Sequence, residues 1–142
     1  MTGRAAAIVE RARALIGVRF RPQGRSIEHG LDCIGVIIMA TGIPKARARH
    51  DYDLRFSDPK EVHRNFIACG MLRIPLDMTE EGDILLVRAG GRQLHVLLLT
   101  DLGYLHADAA LRRVVEVPGS VPWPILSAWR CPDDGVVAVR MA

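Results

Sequence analysis

The stretch GLDCIGVIIMATG, residues 30–42, decides the architecture of this chain. Its centre is apolar on every side, which is typical of a helix that is buried all round. Asp32 stands at the position of a helix N-cap, while Gly42 and Pro44 supply a C-cap and a stop signal. We therefore predict a central helix over residues 32–41 that packs against a sheet.

Two further helices are predicted on either side of this stretch. Residues 2–16 place apolar side chains at helical spacing, with arginines off that stripe. Farther along, DPKE at residues 58–61 offers Asp58 as N-cap and Pro59 at the first helical position. This third helix is predicted to close at Gly70.

Beyond the third helix the chain consists of short runs rich in Val, Leu and Ile, separated by turn signals. These runs are RIPL, GDILLVRAGGRQLHVLLLT, GYLHAD, RRVVEVP and GVVAVRM. The connections are too short for the crossovers that parallel strands need, so the strands are predicted to be antiparallel neighbours. Helices followed by such a meander predict an α+β fold, with N-terminal helices packed on a C-terminal antiparallel sheet. We expect residues 1–142 to form a single domain.

The composition excludes several classes of protein. Hydrophobic residues make up 49% and charged residues 25%, as in ordinary globular proteins. The net charge of +3 comes from scattered arginines, so no nucleic-acid partner is indicated. No apolar run approaches the roughly 20 residues of a membrane span, and the amphipathic N-terminus is no signal peptide. We therefore expect synthesis in the cytoplasm.

The three cysteines point to one candidate for chemistry. No C-x-x-C pair is present, which argues against a disulfide framework and a zinc knuckle. Cys69 and Cys131 lie among apolar residues and are interpreted as structural. Cys33 is different because it stands at a helix start, where unpaired N–H groups and the helix dipole stabilise a thiolate. It is the candidate nucleophile, although free cysteines more often act as small hydrophobes.

Two histidines could serve that nucleophile. If Asp101 and Leu102 form a two-residue hairpin turn, His106 lies diagonally across from His95 on the same face of the sheet. One imidazole could then take the proton of Cys33 while the other orients it. A three-residue turn would reverse the parity and separate the rings.

These motifs together resemble a known family. LDCIGV, followed by EEGDILLV, HVLLLT and YLHAD, resembles the NlpC-type family of bacterial cell-wall cysteine peptidases. The resemblance implies a circularly rearranged papain-like fold without a cofactor or metal. It also implies that Cys33 is the nucleophile, His95 the base and His106 the residue that orients the base.

The resemblance extends to substrate and setting. It implies that peptidoglycan stem peptides are the substrate, with cleavage between D-glutamate and a diamino acid. The loop VRFRPQGRSIEHGLDC resembles the version found in phage and gene-transfer-agent tail-associated members. That version implies a particle-borne enzyme acting on the cell wall, with tail or baseplate proteins as possible partners.

The chain departs from the family pattern at two positions. Ile34 replaces the usual serine after the cysteine, and Phe20 is the nearest candidate for an aromatic that is usually tyrosine. Without that hydroxyl, the oxyanion would rely on the backbone N–H of Cys33 or its neighbours. Asp32 fits the motif, but an N-cap explains it fully, so it is given a supporting role.

Other polar and aromatic residues are given lesser roles. Arg21, together with its neighbours Arg19 and Arg25, could bind stem-peptide carboxylates. His29 is close enough in sequence to Cys33 to line a substrate cleft. His29, His50 and His63 are expected to be solvated, and Trp123 and Trp129 to seal the core.

Two alternatives from other classes stay open. A zinc-dependent hydrolase could use Cys33, His95 and His106 as ligands with one open position. A catalytically degenerate tail module could keep the fold and bind the wall without turnover.

Overall fold

Three helices and two sheets make up the computed structural model, which describes residues 3–43, 58–90 and 93–131. The helices are α1 (Gly3–Arg13), α2 (Cys33–Thr41) and α3 (Pro59–Ala68). Within these described ranges, no helix is long and apolar enough to cross a membrane. Helix α1 is shorter than predicted because residues 14–17 form turns.

A small hairpin and a larger antiparallel sheet accompany the helices. Strands β1 (Arg25–Ser26) and β2 (Gly30–Leu31) pair just before α2. The larger sheet contains β3 (Leu72–Ile74), β4 (Ile84–Gly90), β5 (Gln93–Leu99), β6 (Gly103–Asp108), β7 (Arg113–Pro118) and β8 (Ile125–Arg130). Its order is β3-β8-β4-β5-β6-β7, and a 3₁₀ turn at Leu76–Met78 follows β3. The predicted α+β class is confirmed, while the predicted strand GVVAVRM lies outside the described residues.

The predicted simple meander is wrong at one strand. Strand β8 inserts between β3 and β4 and pairs with both, although PILSAWR was not predicted to be a strand. Prolines at 122 and 124 interrupt the strand pattern at its start, and its partners on β4 and β3 lie far away in the sequence. Trp129 on β8 is 1% exposed and seals the core as predicted. Trp123 does not lie in that main core.

Helix α2 forms where the sequence predicts it. The Asp32 side chain accepts a hydrogen bond from the Gly35 N–H at 2.8 Å, and Gly42 ends the helix in the left-handed conformation at φ 77°. Every residue of α2 except Met39 is buried. The helix is therefore held by capping at both ends and by burial on all sides.

The two faces of the large sheet have different neighbours. Leu94, Val96 and Leu98 of β5 join the main core with α1 and α2. Leu97 and Tyr104 belong to a second, smaller apolar cluster. Since successive side chains of a strand point to opposite faces, the odd-numbered residues of β5 lie on the face of this second cluster.

His63 was predicted to be solvated, and the structure corrects this. Its Nε2 lies 2.9 Å from the Ser127 Oγ, and its ring packs 5.3 Å from the Trp129 ring. Helix α3 lies against β8, so the histidine is half-buried, and burial lowers its pKa. His29 is exposed as predicted, and His50 lies outside the described residues.

Candidate active site

Cys33 begins α2 and belongs to the main core, with only 5% of its surface exposed. The backbone N–H groups of Val96 and Ile34 donate hydrogen bonds to its sulfur. Val96 directly follows His95 in β5, so the thiol lies against the strand that carries the candidate base. The packing of α2 on β5 creates this approach.

The protonation state of Cys33 differs from the one predicted at a helix start. Burial raises the pKa of the thiol to about 12, and the negative charge of Asp32 adds to this effect. The N–H groups of Val96 and Ile34 and the charge of Arg25 lower it by less. The predicted stabilisation of the thiolate is therefore wrong for this state, because desolvation outweighs the helix end.

His95 and His106 meet as the sequence predicts. Thr100 and Gly103 close a two-residue turn through a 3.0 Å hydrogen bond, and Leu98 pairs with Leu105 beside it. The His95 Nε2 lies 2.6 Å from the His106 Nδ1, and the ring centroids are 4.9 Å apart. We call these two residues the histidine pair.

Both imidazoles of the histidine pair have pKa values below that of a free histidine, which favours their neutral forms. Burial lowers the pKa of His95 to about 4, and repulsion from His106 contributes. Burial also lowers the pKa of His106. The charge of Asp108 acts in the opposite direction on both rings. In the bond between two neutral imidazoles, one nitrogen donates its hydrogen and the other accepts it.

The thiol meets the backbone of β5 without a hydrogen bond to the histidine pair. Among the hydrogen bonds of residues 3–43, 58–90 and 93–131, none joins Cys33 to His95. Since the His95 Nε2 is engaged with His106, Nδ1 is the nitrogen of His95 left for Cys33. His95 thus has its Nε2 held by His106, while its Nδ1 has no hydrogen bond to the residues that the structure describes.

Asp32 organises the loop that precedes the nucleophile. Besides capping α2, it accepts hydrogen bonds from the Gln23 N–H at 3.0 Å and from the Arg25 guanidinium at 2.7 Å. Arg25 is therefore paired within the protein. This pairing occupies a guanidinium that was predicted to bind a substrate carboxylate, and the supporting role of Asp32 in catalysis stays a prediction.

The other predicted supporting residues flank this loop. Phe20 is half-buried against the main core, and its N–H donates to the Arg112 carbonyl at 2.9 Å. Arg21 is exposed, and His29 is exposed with its Nδ1 3.1 Å from the Ser26 Oγ. Their roles toward a substrate stay predictions.

Three residues beside the histidine pair were not predicted from the sequence. The Trp123 ring lies 5.8 Å from each of the two imidazoles, and the Tyr104 ring lies 5.3 Å from His106. Asp108 Oδ2 lies 3.8 Å from the His106 Nε2. Strand alternation could have revealed Tyr104 and Asp108, each two residues from His106. No local signal connects Trp123 with this hairpin.

The zinc alternative requires ligands that converge on one metal position. Among the described residues, no group of three His, Cys, Asp or Glu side chains has an arrangement that could hold a metal ion. The histidine pair instead joins its ring nitrogens directly to each other.

No protein-family model and no curated protein matches the sequence. Solved structures do match. The NlpC/p60 domain of the peptidoglycan hydrolase SagA has a TM-score of 0.59 and 24% identity, covering 87% of this chain and 96% of that one. The P60 domain of an antigen from M. avium subspecies paratuberculosis has a TM-score of 0.55 and 18% identity, covering 90% and 93%.

The chain has the NlpC/p60 fold. A third match, the peptidoglycan hydrolase RipB from Mycobacterium tuberculosis, has a TM-score of 0.51 at 18% identity and covers 89% of this chain and 63% of that one. The expectation of an NlpC-type architecture is thereby confirmed. At these identities the likeness establishes the NlpC/p60 fold, whereas activity depends on the residues of the site.

Proposed function

We propose that this chain is a cysteine peptidase that hydrolyses the stem peptides of peptidoglycan. The observation that carries the proposal is the 2.6 Å bond between His95 and His106, beside a thiol that contacts the residue after His95. A cysteine nucleophile needs a base, and the base needs a partner that orients it. Two proteins with the same fold are named peptidoglycan hydrolases, which supports the choice of substrate.

The reaction follows from the proposed roles. The Cys33 thiol passes its proton to the His95 Nδ1 while the sulfur forms a bond to the peptide carbonyl carbon. The carbon–nitrogen bond then breaks, and His95 gives the proton to the leaving amine. Water, deprotonated by His95, attacks the thioester, releasing the carboxylic acid and restoring the thiol. His106 holds the imidazole of His95 throughout.

In the resting protein Cys33 is protonated, so the reaction requires proton transfer and a closer approach of the reacting groups. A neutral thiol beside a neutral imidazole requires proton transfer to accompany attack, since no thiolate is stored in advance. Reacting groups must approach to about 3–3.5 Å, and catalytic hydrogen bonds are often long before substrate binds. Substrate binding must therefore bring the Cys33 sulfur and the His95 Nδ1 within this distance.

The oxyanion is assigned to backbone rather than to a side-chain hydroxyl. Phe20 carries no hydroxyl, and the N–H of a first helical residue has no partner within its helix. The N–H of Cys33, at the positive end of α2, therefore donates the hydrogen bond that stabilises the negatively charged oxygen.

The finer assignment is cleavage between D-glutamate and the diamino acid, by an enzyme carried on a phage or gene-transfer-agent tail. The choice of bond rests on the resemblance to the NlpC-type family, and the tail setting rests on the resemblance of the loop before Cys33. Tail or baseplate proteins are the corresponding partners. The net charge of +3 suits an anionic wall polymer.

Digestion of defined muropeptides with mass detection tests the proposal. The native protein is expected to release the two fragments of a single cleaved bond, and Cys33→Ala to release neither while unfolding at nearly the same temperature. Undiminished turnover by Cys33→Ala would refute the thiol mechanism. Fragments from a different bond would refute only the finer assignment.

A wall-binding module without turnover is the second candidate. The burial of Cys33 and its raised thiol pKa favour it, since both lower nucleophilicity. It predicts that the native protein and Cys33→Ala bind peptidoglycan fragments equally and that neither cleaves them. Cleavage by the native protein excludes it.

A further inference from the structure

We propose that Asp108 is a positioning residue that sets the direction of the hydrogen bond between His106 and His95, and thereby makes His95 Nδ1 the proton acceptor. The role of Nδ1 in catalysis rests on the proposed function, whereas the direction of the bond does not. The contacts of Asp108 with His106 and with the turn after β6 carry the argument.

Asp108 and His106 lie two residues apart on β6, so their side chains share one face of the sheet. The Asp108 Oδ2 lies 3.8 Å from the His106 Nε2. The His106 side chain is 5% exposed and that of Asp108 is 25% exposed, which keeps their interaction only partly screened by water. The carboxylate therefore acts on His106 through its charge at this distance.

The turn after β6 fixes the orientation of the carboxylate. The Asp108 Oδ1 accepts hydrogen bonds from the N–H groups of Ala110 at 2.8 Å and Leu111 at 3.1 Å. These bonds leave Oδ2 as the oxygen that faces His106. One carboxylate thus closes the turn with one oxygen and presents the other to the imidazole.

The direction of the hydrogen bond in the histidine pair follows from the single N–H hydrogen that each neutral imidazole carries. A neutral imidazole carries one N–H, and a negative charge opposite Nε2 of His106 favours the tautomer with hydrogen on that nitrogen. Nδ1 of His106 is then an acceptor. Because Nδ1 of His106 lies 2.6 Å from Nε2 of His95, the latter must donate. His95 therefore holds its hydrogen on Nε2 and an open lone pair on Nδ1.

The opposite direction would disable the base. With hydrogen on Nδ1 of His106, Nε2 of His95 becomes the acceptor, and Nδ1 of His95 carries the hydrogen. That nitrogen could not then take the thiol proton of Cys33. Tyr104 and Trp123 also contact His106, but both rings are neutral, so Asp108 provides the charge that separates the two directions.

Nitrogen-15 NMR of the histidine-labelled protein at pH 7.5 tests the inference without any substrate. We expect both members of the pair to carry hydrogen on Nε2 in the native protein. Asp108→Asn keeps the amide oxygen for the turn and presents an NH₂ group to the His106 Nε2, so both hydrogens are expected to move to Nδ1. Asp77→Asn, which removes an exposed charge at the opposite edge of the sheet, is the control.

Each outcome decides the inference. Hydrogen on Nδ1 of His95 in the native protein would overturn it, whether or not Asp108→Asn folds. Unchanged tautomers in a folded Asp108→Asn would also overturn it. With a cleavable stem peptide, Asp108→Asn is expected to lower kcat by roughly 10²-fold or more with little change in KM. If the native protein cleaves no such peptide, the proposed function fails, and the spectra still decide the direction of the bond.

Discussion

The backbone N–H of Val96 donates a hydrogen bond to the sulfur of Cys33, which places the thiol beside β5 and one residue from the imidazole of His95. This hydrogen bond holds the sulfur at a position that is buried from solvent. It joins the helix that carries the candidate nucleophile to the strand that carries the candidate base. The resting thiol therefore lies against the strand of its candidate base and is still protonated.

Alkylation of Cys33 measures that protection. Because burial raises the pKa of the thiol to about 12, iodoacetamide is expected to label Cys33 very slowly at pH 7. The rate should rise about tenfold for each pH unit up to that pKa, as the thiolate fraction does. Peptide mass mapping distinguishes Cys33 from Cys69 and Cys131, which are also buried. Rapid labelling at pH 7 would contradict a buried resting thiol.

Acid should destabilise the fold through His95. Its pKa of about 4 lies below the unfolded value of 6.5, so between these values the unfolded chain binds more protons. The contribution of His95 to the free energy of unfolding is therefore fully present above pH 6.5. It is lost as the pH falls toward 4, and the loss amounts to about 3 kcal/mol. Urea unfolding at several pH values measures this loss. His95→Gln should flatten the pH dependence, and an equal slope in that variant would contradict the assignment.

Asp32 offers a test of loop and helix together. Asp32→Ala removes the cap of α2 and the bonds from Gln23 and Arg25, and it is expected to cost about 1–2 kcal/mol of unfolding free energy. Asp32→Asn is the matched control, because asparagine caps a helix as well as aspartate does. Thermal unfolding should rank the native protein first, Asn second and Ala last. Equal destabilisation by both variants would show that the charge pair with Arg25, rather than the cap, stabilises this loop.

Trp123 is expected to shield the histidine pair from water. Its ring lies 5.8 Å from the rings of both His95 and His106, and burial is the main cause of their lowered pKa values. Trp123→Ala is therefore expected to raise both pKa values toward 6.5, as followed by NMR titration. Trp123→Phe keeps an aromatic ring and should raise them less. Identical titrations in the native protein and Trp123→Ala would show that other groups exclude the water.

Local chemistry could be read from the sequence wherever both partners of an interaction are close in the chain. The cap by Asp32, the left-handed end at Gly42 and the turn at Asp101 and Leu102 all involve neighbouring residues. The turn sets the parity of the hairpin, so the meeting of His95 and His106 was predictable as well.

Tertiary structure decided what depends on distant segments. The insertion of β8 beside β4, the position of Trp123 and the bond between His63 and Ser127 each join residues far apart in the chain. No short pattern encodes such contacts, because they form only when whole layers pack.

The protonation state of Cys33 belongs to the same class. The sequence by itself determined that this cysteine begins an apolar helix, and a helix start taken alone favours a thiolate. Only the packing of α2 against β5 decided that the sulfur is desolvated, and desolvation is the larger effect on its pKa. The position of Cys33 in the sequence thus identifies it as the candidate nucleophile, whereas its burial in the folded protein keeps the thiol uncharged.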